Sequence, residues 1–375
     1  MNLQQIVDDE LRRYSGPVLI FDREQIRSNL IGLGKAFGAN PGGMLFAVKS
    51  FPHADILQTV WETEGGFEVS NEREYQLLPR DLIGRTVSLN SPLRVDPARF
   101  VEHGNRLHVH LERGPDHTII GAPSDASYCL RLNHKSLPLD SSLLIESDRS
   151  SRFGAFWGSF LESAPLFREG ILSGVHIHNG SEANTAAFYR AALKLLLDFS
   201  EENQIPLRYV NLGGGLHPIA QTELEKLLGD LHGMAGELPI FIEPGHVICR
   251  GAGFLLCKVH DVRPFGGQRY QVTVDASYDC HAKWSQPSWT GPDELGIKKL
   301  DHRKIPAPQE GFQILRFTGA SCYERDQLGI FRIPQQGSLP PIKPGDPIIF
   351  SNINGYSYAW NTSFNGVPPA KLRIV

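Results

Sequence analysis

Lys49 ends the apolar run "LFAVK". An ammonium there is costly unless it reaches solvent or a partner. At the carboxyl end of a barrel strand its amine would point into the catalytic mouth, a position that suits a Schiff-base lysine, although a lysine snorkelling from a strand end has the same signature. Glu243, in "FIEPGH", has a Pro-Gly turn behind it that fixes its direction. It could bind a pyridinium nitrogen or simply meet solvent or a basic neighbour. His176 and His178 in "GVHIHNGSE" are two residues apart and face the same side of a strand. With no carboxylate or third histidine at a ligand spacing, no metal is expected, and a ring stacked on a flat cofactor fits His178 ahead of Gly180 and Ser181. Gly213, Gly214 and Gly215 in "YVNLGGGLHP" follow a strand and precede a helical stretch, where backbone amides can cradle a phosphate or merely make a tight turn. Pro218 stands where a dinucleotide fingerprint needs glycine, so that reading fails. Cys322, in "TGASCYERD", is a loop thiol among acids, better suited to donate a proton than to attack, or else a small, partly buried side chain. Tyr356 follows Gly355 in the last loop-rich stretch.

These residues need a frame. From about residue 18 to 245, short β-like runs ("VLIFD", "MLFAV", "FEVS", "TVSL", "LHVHL", "YCLRL", "GVHIH", "YVNL", "IFIE") alternate with helical stretches. In "TAAFYRAALKLLLDFSEEN" the residues Phe188, Ala192, Leu195, Leu196 and Phe199 share a helical face. Eight or nine βα units of this size match a parallel (β/α)8 TIM barrel better than a six-stranded open sheet. After about Gly251 the pattern changes to strands and Pro-rich turns ("RYQVTVDAS", "FQILRFTG", "GIFRIP", "PIIFSN", "KLRIV"), which read as a separate β domain.

Composition narrows the partners. The 375 residues carry 37 basic and 41 acidic side chains, a net charge of −4, so no field favours a nucleic-acid backbone or an anionic membrane. No export signal or long apolar span is evident, and a cytoplasmic protein acting on a small molecule is the expectation. Five cysteines (Cys129, Cys249, Cys257, Cys280, Cys322) lie far apart without a C-x-x-C pair, which argues against a disulfide framework or structural zinc.

In order along the chain, these pieces resemble the fold-type III pyridoxal-phosphate decarboxylases, the group of ornithine, diaminopimelate and carboxynorspermidine decarboxylases. The family's "A-V-K" lysine matches Lys49, its "D-V-A-S-x-x-E" is echoed by "EVSNERE" with Glu68 and Glu74, and its "H-x-G-S" is His178, Gly180 and Ser181. Its glycine loop, "E-P-G" turn, "S/T-C-x-x-x-D" loop and "G-x-Y" match Gly213 to Gly215, Glu243, Cys322 with Asp326, and Tyr356. The resemblance implies a pyridoxal-phosphate barrel over 24–250, a β-sandwich domain from 1–23 and 251–375, and a head-to-tail homodimer in which Cys322 completes the partner's site. It implies that Lys49 holds the cofactor, Glu243 keeps its ring nitrogen protonated, His178 stacks on it, and Ser181, Gly213 to Gly215 and Tyr356 hold its phosphate. Cys322 would return a proton after carbon dioxide leaves.

Three positions depart from the pattern. His246 stands where several members have a phosphate-binding arginine, and its charge near neutral pH is not fixed. Asn71 replaces the serine of "D-V-A-S", and Tyr323 replaces an acid that often binds a distal amine. Glu324, Asp326 and Asp275 could still supply negative charge to a distal amine. "VDASYDCH" and "LGGGLH" lean towards the carboxynorspermidine branch, so the expected substrate is an α-amino acid head on a larger body, such as a 3-amino-3-carboxypropyl amine. Ornithine or diaminopimelate decarboxylation, racemisation on the same fold, and a non-catalytic pyridoxal-phosphate carrier are the alternatives.

Overall fold

The computed structural model describes residues 2–37, 43–93, 95–113, 126–144, 151–180, 185–291, 295–300, 305–335, 337 and 340–375. The chain divides into two compact units, Arg27–Ile248 and a second made of Met1–Ile26 with Cys249–Val375. β1 (Val18–Phe21) belongs to the second. The first contains β2 (Leu45–Ala47), β3 (Gly66–Val69), β4 (Thr86–Leu89), β5 (Arg106–Leu111), β6 (Ala126–Leu132), β7 (Leu172–Ile177), β8 (Tyr209–Asn211) and β9 (Ile240–Phe241). These eight strands pair in sequence order, all parallel. A parallel bridge between Met44 and Ile242, with the Leu45 N–H donating to the Ile242 carbonyl at 2.9 Å, joins the last strand to the first. The result is the expected (β/α)8 barrel. Strands such as "GFEV" are buried at every position, because a parallel sheet under helices has no solvent face.

The helix expected after Ser181 runs over Ala186–Glu202, but its buried stripe is Phe188, Tyr189, Ala192, Leu193, Leu196 and Ser200. Leu195 and Phe199 sit half-buried at the edge of that stripe, where Phe199 meets the rings of Trp157 and Phe160. The expected face was therefore rotated by part of a turn. Tyr189 and Leu193 take the buried places that the pattern assigns to Leu195 and Phe199.

The second unit is a nine-stranded, mostly antiparallel sheet. Its further strands are β10 (Gly253–Pro264), β11 (Arg269–Val274), β12 (Ser288–Thr290), β13 (Lys298–Leu300), β14 (Phe312–Thr318), β15 (Gln327–Pro334), β16 (Pro347–Ser351) and β17 (Lys371–Ile374). β1 pairs with β10 and β17, so "VLIFD", the first run of the sequence pattern, is not a barrel strand. The first half of β10 pairs with β1 and β16, and after a register shift at Val259/Asp261 its second half pairs with β11. Phe317 of β14 meets Phe350 of β16 at 5.4 Å, and Trp289 of β12 meets Phe331 of β15 at 6.1 Å. Strands far apart in the pairing order thus share one core, which makes the bent sheet a two-layer sandwich. No helix among the described residues is long and apolar enough to cross a membrane.

Candidate active site

Side chains along a strand alternate in direction, so inward positions repeat every two residues. One barrel layer contains Leu45, Cys129, Tyr209 and Phe241, a buried apolar cluster, with the His108 ring stacked on Tyr209 at 4.1 Å. Gly174 leaves room for that tyrosine, since a Cβ there would lie 2.3 Å from its ring. Two residues further along the same strands the interior turns polar: His110 after His108, Arg131 after Cys129, His176 after Gly174, Asn211 after Tyr209 and Glu243 after Phe241. Glu68 on β3 and Ser88 on β4 complete this second layer. It faces the carboxyl ends of the strands, where barrels carry their chemistry.

Glu243 is the centre of the layer. Its Oε1 accepts from the Asn211 amide at 2.9 Å and the Ser88 hydroxyl at 3.3 Å, and its Oε2 lies 3.5 Å from His176 Nε2. Burial alone would push its pKa up, but His176, His110 and Lys49 around it hold the carboxyl well below the usual carboxylate range. The imidazoles themselves are neutral near pH 7, because burial lowers His110 and His176. Glu243 is therefore an ionised carboxylate held by the Asn211 and Ser88 donors, by its contact with His176 and by the positive charge of Lys49.

Lys49 follows β2 in the short turn Val48–Ser50, and its Nζ contacts Glu68 Oε2 at 2.5 Å. The lysine is 42% exposed and the glutamate fully buried. Burial pushes Glu68 up to about 7, opposed by Lys49 and reinforced by Glu243. His178, half-buried just beyond β7, accepts the Gly214 N–H on Nδ1 at 3.1 Å. A backbone amide can only donate, so Nδ1 is unprotonated and any proton is on Nε2. Burial lowers its pKa to about 3, which keeps the ring neutral.

The glycine loop differs from its expectation. Gly213 has φ +67, where a Cβ would lie 2.7 Å from the Ile177 carbonyl, and a Cβ on Gly214 would lie 2.5 Å from the Glu243 carbonyl. The loop is glycine because it passes hard against the ends of β7 and β9. The Gly213 N–H donates to Asn211 Oδ1 at 2.9 Å, and the Gly214 N–H is taken by His178. The following helix starts only at Gln221, so these glycines do not form its N-terminus. His246, after the E-P-G turn, stacks on His217 at 4.0 Å. Ser181 lies outside the described residues.

His110, His176 and Glu243 offer three buried donor atoms within 4.8 Å of one another. The third histidine that spacing did not supply is thus brought in from another strand. The His110 and His176 rings, however, approach with centroids 4.3 Å apart at 41°, a face contact rather than two edges converging on one ion. The layer is built around the carboxylate.

In the second unit, Cys322 is exposed, as are its neighbours Tyr323 and Glu324. Asp326 is buried and accepts from the Tyr278 N–H at 2.7 Å, the Ser321 N–H at 3.1 Å and the Ser321 hydroxyl at 2.5 Å. Asp275 accepts from Tyr14 Oη at 2.8 Å and the Lys258 N–H at 2.8 Å. Both aspartates, expected to face a distal amine, are occupied in holding the fold. Tyr356 is half-buried with its ring edge-on to Trp284 at 5.0 Å.

Sequence reasoning passed over Ser88, His110 and Asn211, all partners of Glu243. The signal was present in "TVSL", "LHVHL" and "YVNL", each an apolar strand interrupted by a polar residue near its carboxyl end.

No family model matches the chain. It is 27% identical over 245 residues to a carboxyaminopropylagmatine decarboxylase of Synechocystis, a match covering 64% of this chain and 58% of that protein. It is 23% identical to a carboxynorspermidine/carboxyspermidine decarboxylase of Campylobacter jejuni, over 96% of this chain and 92% of that one. Among solved structures, the arginine decarboxylase of Paramecium bursaria Chlorella virus matches with a TM-score of 0.74 and 16% identity, covering 99% of each chain. The Campylobacter jejuni carboxynorspermidine decarboxylase with norspermidine matches with a TM-score of 0.67 and 22% identity, covering 95% of this chain and 93% of that one. By sequence the chain is similar to these amino-acid and polyamine-precursor decarboxylases, and it shares their fold.

Proposed function

We propose that the protein is a pyridoxal-phosphate-dependent amino-acid decarboxylase acting on an α-amino acid head attached to a larger body, such as a 3-amino-3-carboxypropyl amine. The observation that carries this is Glu243, a buried carboxylate kept ionised among neutral imidazoles at the carboxyl end of the barrel. A racemase of the same fold places an arginine rather than a carboxylate against the ring nitrogen, so Glu243 favours decarboxylation.

The residues present fit the cofactor. A partly exposed amine, a neutral flat ring and an acid with a lone pair to give stand at one end of one barrel. The buried layer also retains unpartnered polar atoms, Glu68 Oε1 and His176 Nδ1. Lys49 would hold the aldehyde carbon, His178 would lie against the ring, and Glu243 would take the ring nitrogen's proton side. His246, beyond the E-P-G turn, would meet the phosphate. When bound, pyridoxal phosphate supplies an electron sink for the pair released as the substrate carboxylate leaves as carbon dioxide.

The protein's own part is proton control. Glu68, with a pKa pushed up to about 7, is matched to accept a proton from Lys49 Nζ across their 2.5 Å contact and to return it. Glu243, with Asn211 and Ser88 on Oε1, presents Oε2 as the remaining acceptor. Cys322 would deliver the proton that replaces the lost carboxylate, in the site of the partner subunit of a homodimer. Tyr323 and Glu324, exposed beside it, would meet the distal part of the substrate, whereas Asp275 and Asp326 are taken up by hydrogen bonds within the fold.

The test is to purify wild type and Lys49→Ala with pyridoxal phosphate, compare their visible absorption, and record carbon dioxide release from a panel of amino acids. A band present in wild type and lost in the variant, with gas from carboxyaminopropyl amines, is the expected result. A folded wild type without the band refutes the reading, and activity restricted to ornithine, lysine or diaminopimelate refutes the substrate class.

A further inference from the structure

Cys322 is exposed, yet the backbone around it is held closely. The Ser321 N–H donates to Asp326 Oδ2 at 3.1 Å, and the Cys322 N–H donates to Asn365 Oδ1 at 2.6 Å. The Ala320 N–H donates to the Ala276 carbonyl at 2.8 Å. Gly319 is required beneath the loop, because a Cβ there would lie 2.3 Å from the Asp326 carboxylate.

Asn365 comes from the far end of the chain, in the short turn Phe364–Gly366, with φ +57. Asparagine adopts this left-handed conformation more readily than most residues, and its short amide then reaches back. The turn is itself anchored. Cys280 Sγ lies 3.9 Å from the Phe364 carbonyl, Thr362 Oγ1 lies 3.8 Å from Cys280 Sγ, and His281 Nε2 meets the Pro368 carbonyl at 3.0 Å. His281 Nδ1 accepts the Ser277 N–H at 3.1 Å, so the Nε2 proton must be the one donated to Pro368. Segment 276–281 is therefore a post that grips the cysteine loop on one side, through Ala276 and Tyr278, and the C-terminal turn on the other, through Cys280 and His281. The amide of Asn365 closes this ring onto the cysteine.

We propose that Asn365 is a positioning residue for Cys322: its carboxamide oxygen fixes the cysteine's backbone and so the direction in which the thiol is presented. The inference rests on the reading of Cys322 as the proton donor. It also gives "DASYDCH" a physical role, as the brace between two loops rather than as a substrate site.

Two substitutions test it. Asn365→Gly keeps the left-handed turn and removes the acceptor, while Asn365→Asp keeps both. Each is compared, as holoenzyme, with wild type and Cys322→Ala by three measurements: hydrogen exchange of the peptide spanning 319–326, the rate of thiol alkylation by iodoacetamide, and turnover. In Asn365→Gly the Cys322 amide should exchange about fivefold faster, the loss of one ordinary hydrogen bond. Its kcat should fall by a similar factor with KM unchanged, the alkylation rate should depart from that of wild type, and Asn365→Asp should restore all three. Exchange, alkylation and kcat of Asn365→Gly equal to wild type would overturn the proposal. Full turnover by Cys322→Ala would instead remove the proton-donor reading while exchange and alkylation still decide the role of Asn365.

Discussion

The two units hold their candidate functional groups by opposite means. In the barrel, the groups around the half-exposed Lys49 are governed by burial and electrostatics: Glu243 is ionised against its burial, Glu68 is pushed up to about 7, and the His178 imidazole is kept neutral with a pKa of about 3. In the β unit, Cys322, Tyr323 and Glu324 are in water, and what the protein controls is where the backbone puts them. A buried group has no substitute when removed, because water cannot take its place at the same energy. An exposed donor can be replaced by solvent, less well aimed.

That difference ranks the expected losses. Glu243→Gln keeps the size and the Asn211 hydrogen bond but removes the charge, and kcat should fall about a thousandfold, as for other preorganised electrostatic groups. The variant should still fold and bind cofactor. Cys322→Ala removes the proposed proton donor, and its loss should be nearer about a hundredfold, the lower end for general acids. Steady-state turnover of both variants decides the order. If Cys322→Ala is the more damaged, the exposed loop matters more than the buried acid, and the contrast drawn between the units is wrong.

The third expectation concerns stability. His108 titrates near 3 in the folded barrel, against about 6.5 when unfolded. The folded state therefore binds fewer protons than the unfolded one between these values, and barrel stability must fall as pH falls from 6.5 towards 3. Each such imidazole contributes about 1.4 kcal/mol per pH unit. Among the described imidazoles of the β unit only His281 is shifted in this sense, beside the depressed carboxylates Glu10 and Asp261, which also lose stability in acid. The gap between urea midpoints at pH 7 and pH 5 should narrow in His108→Phe, which keeps a ring against Tyr209 and removes one titration, while His110, His176 and His178 keep the rest. An unchanged pH slope in that variant sinks the assignment.

How much of this was legible depended on range. The βα rhythm, the change of pattern near Gly251 and the order of the motif residues could be read directly, because they depend on local periodicity and spacing. The ring of donors about Glu243 could not, since Ser88, His110, His176 and Asn211 come from four different strands and meet only when the barrel closes. The aspartates misled for a related reason. Asp275 and Asp326 have the right charge for a distal amine, but a carboxylate near a loop is as readily taken by backbone amides, and pairing over as many as 261 residues, as between Tyr14 and Asp275, leaves no local mark.

The smallest predicted effect separates fold from function at a single residue. Asn71 stands in place of the serine of the resembled "D-V-A-S" pattern. In the structure its side chain caps the short helix Glu72–Gln76, accepting the Glu74 N–H at 2.9 Å, while the Glu74 carboxylate reaches back to the Ser70 N–H at 2.8 Å. This reciprocal arrangement is close to a capping box, and asparagine and serine serve almost equally at such a cap. Asn71→Ser should therefore leave both stability and KM unchanged. Asn71→Ala should cost about 1 kcal/mol of barrel stability with KM still unchanged, measured by urea denaturation alongside steady-state kinetics. A rise in KM for either variant without a loss of stability would return Asn71 to the substrate site and show that the barrel mouth, like the cysteine loop, discriminates by exposed contacts.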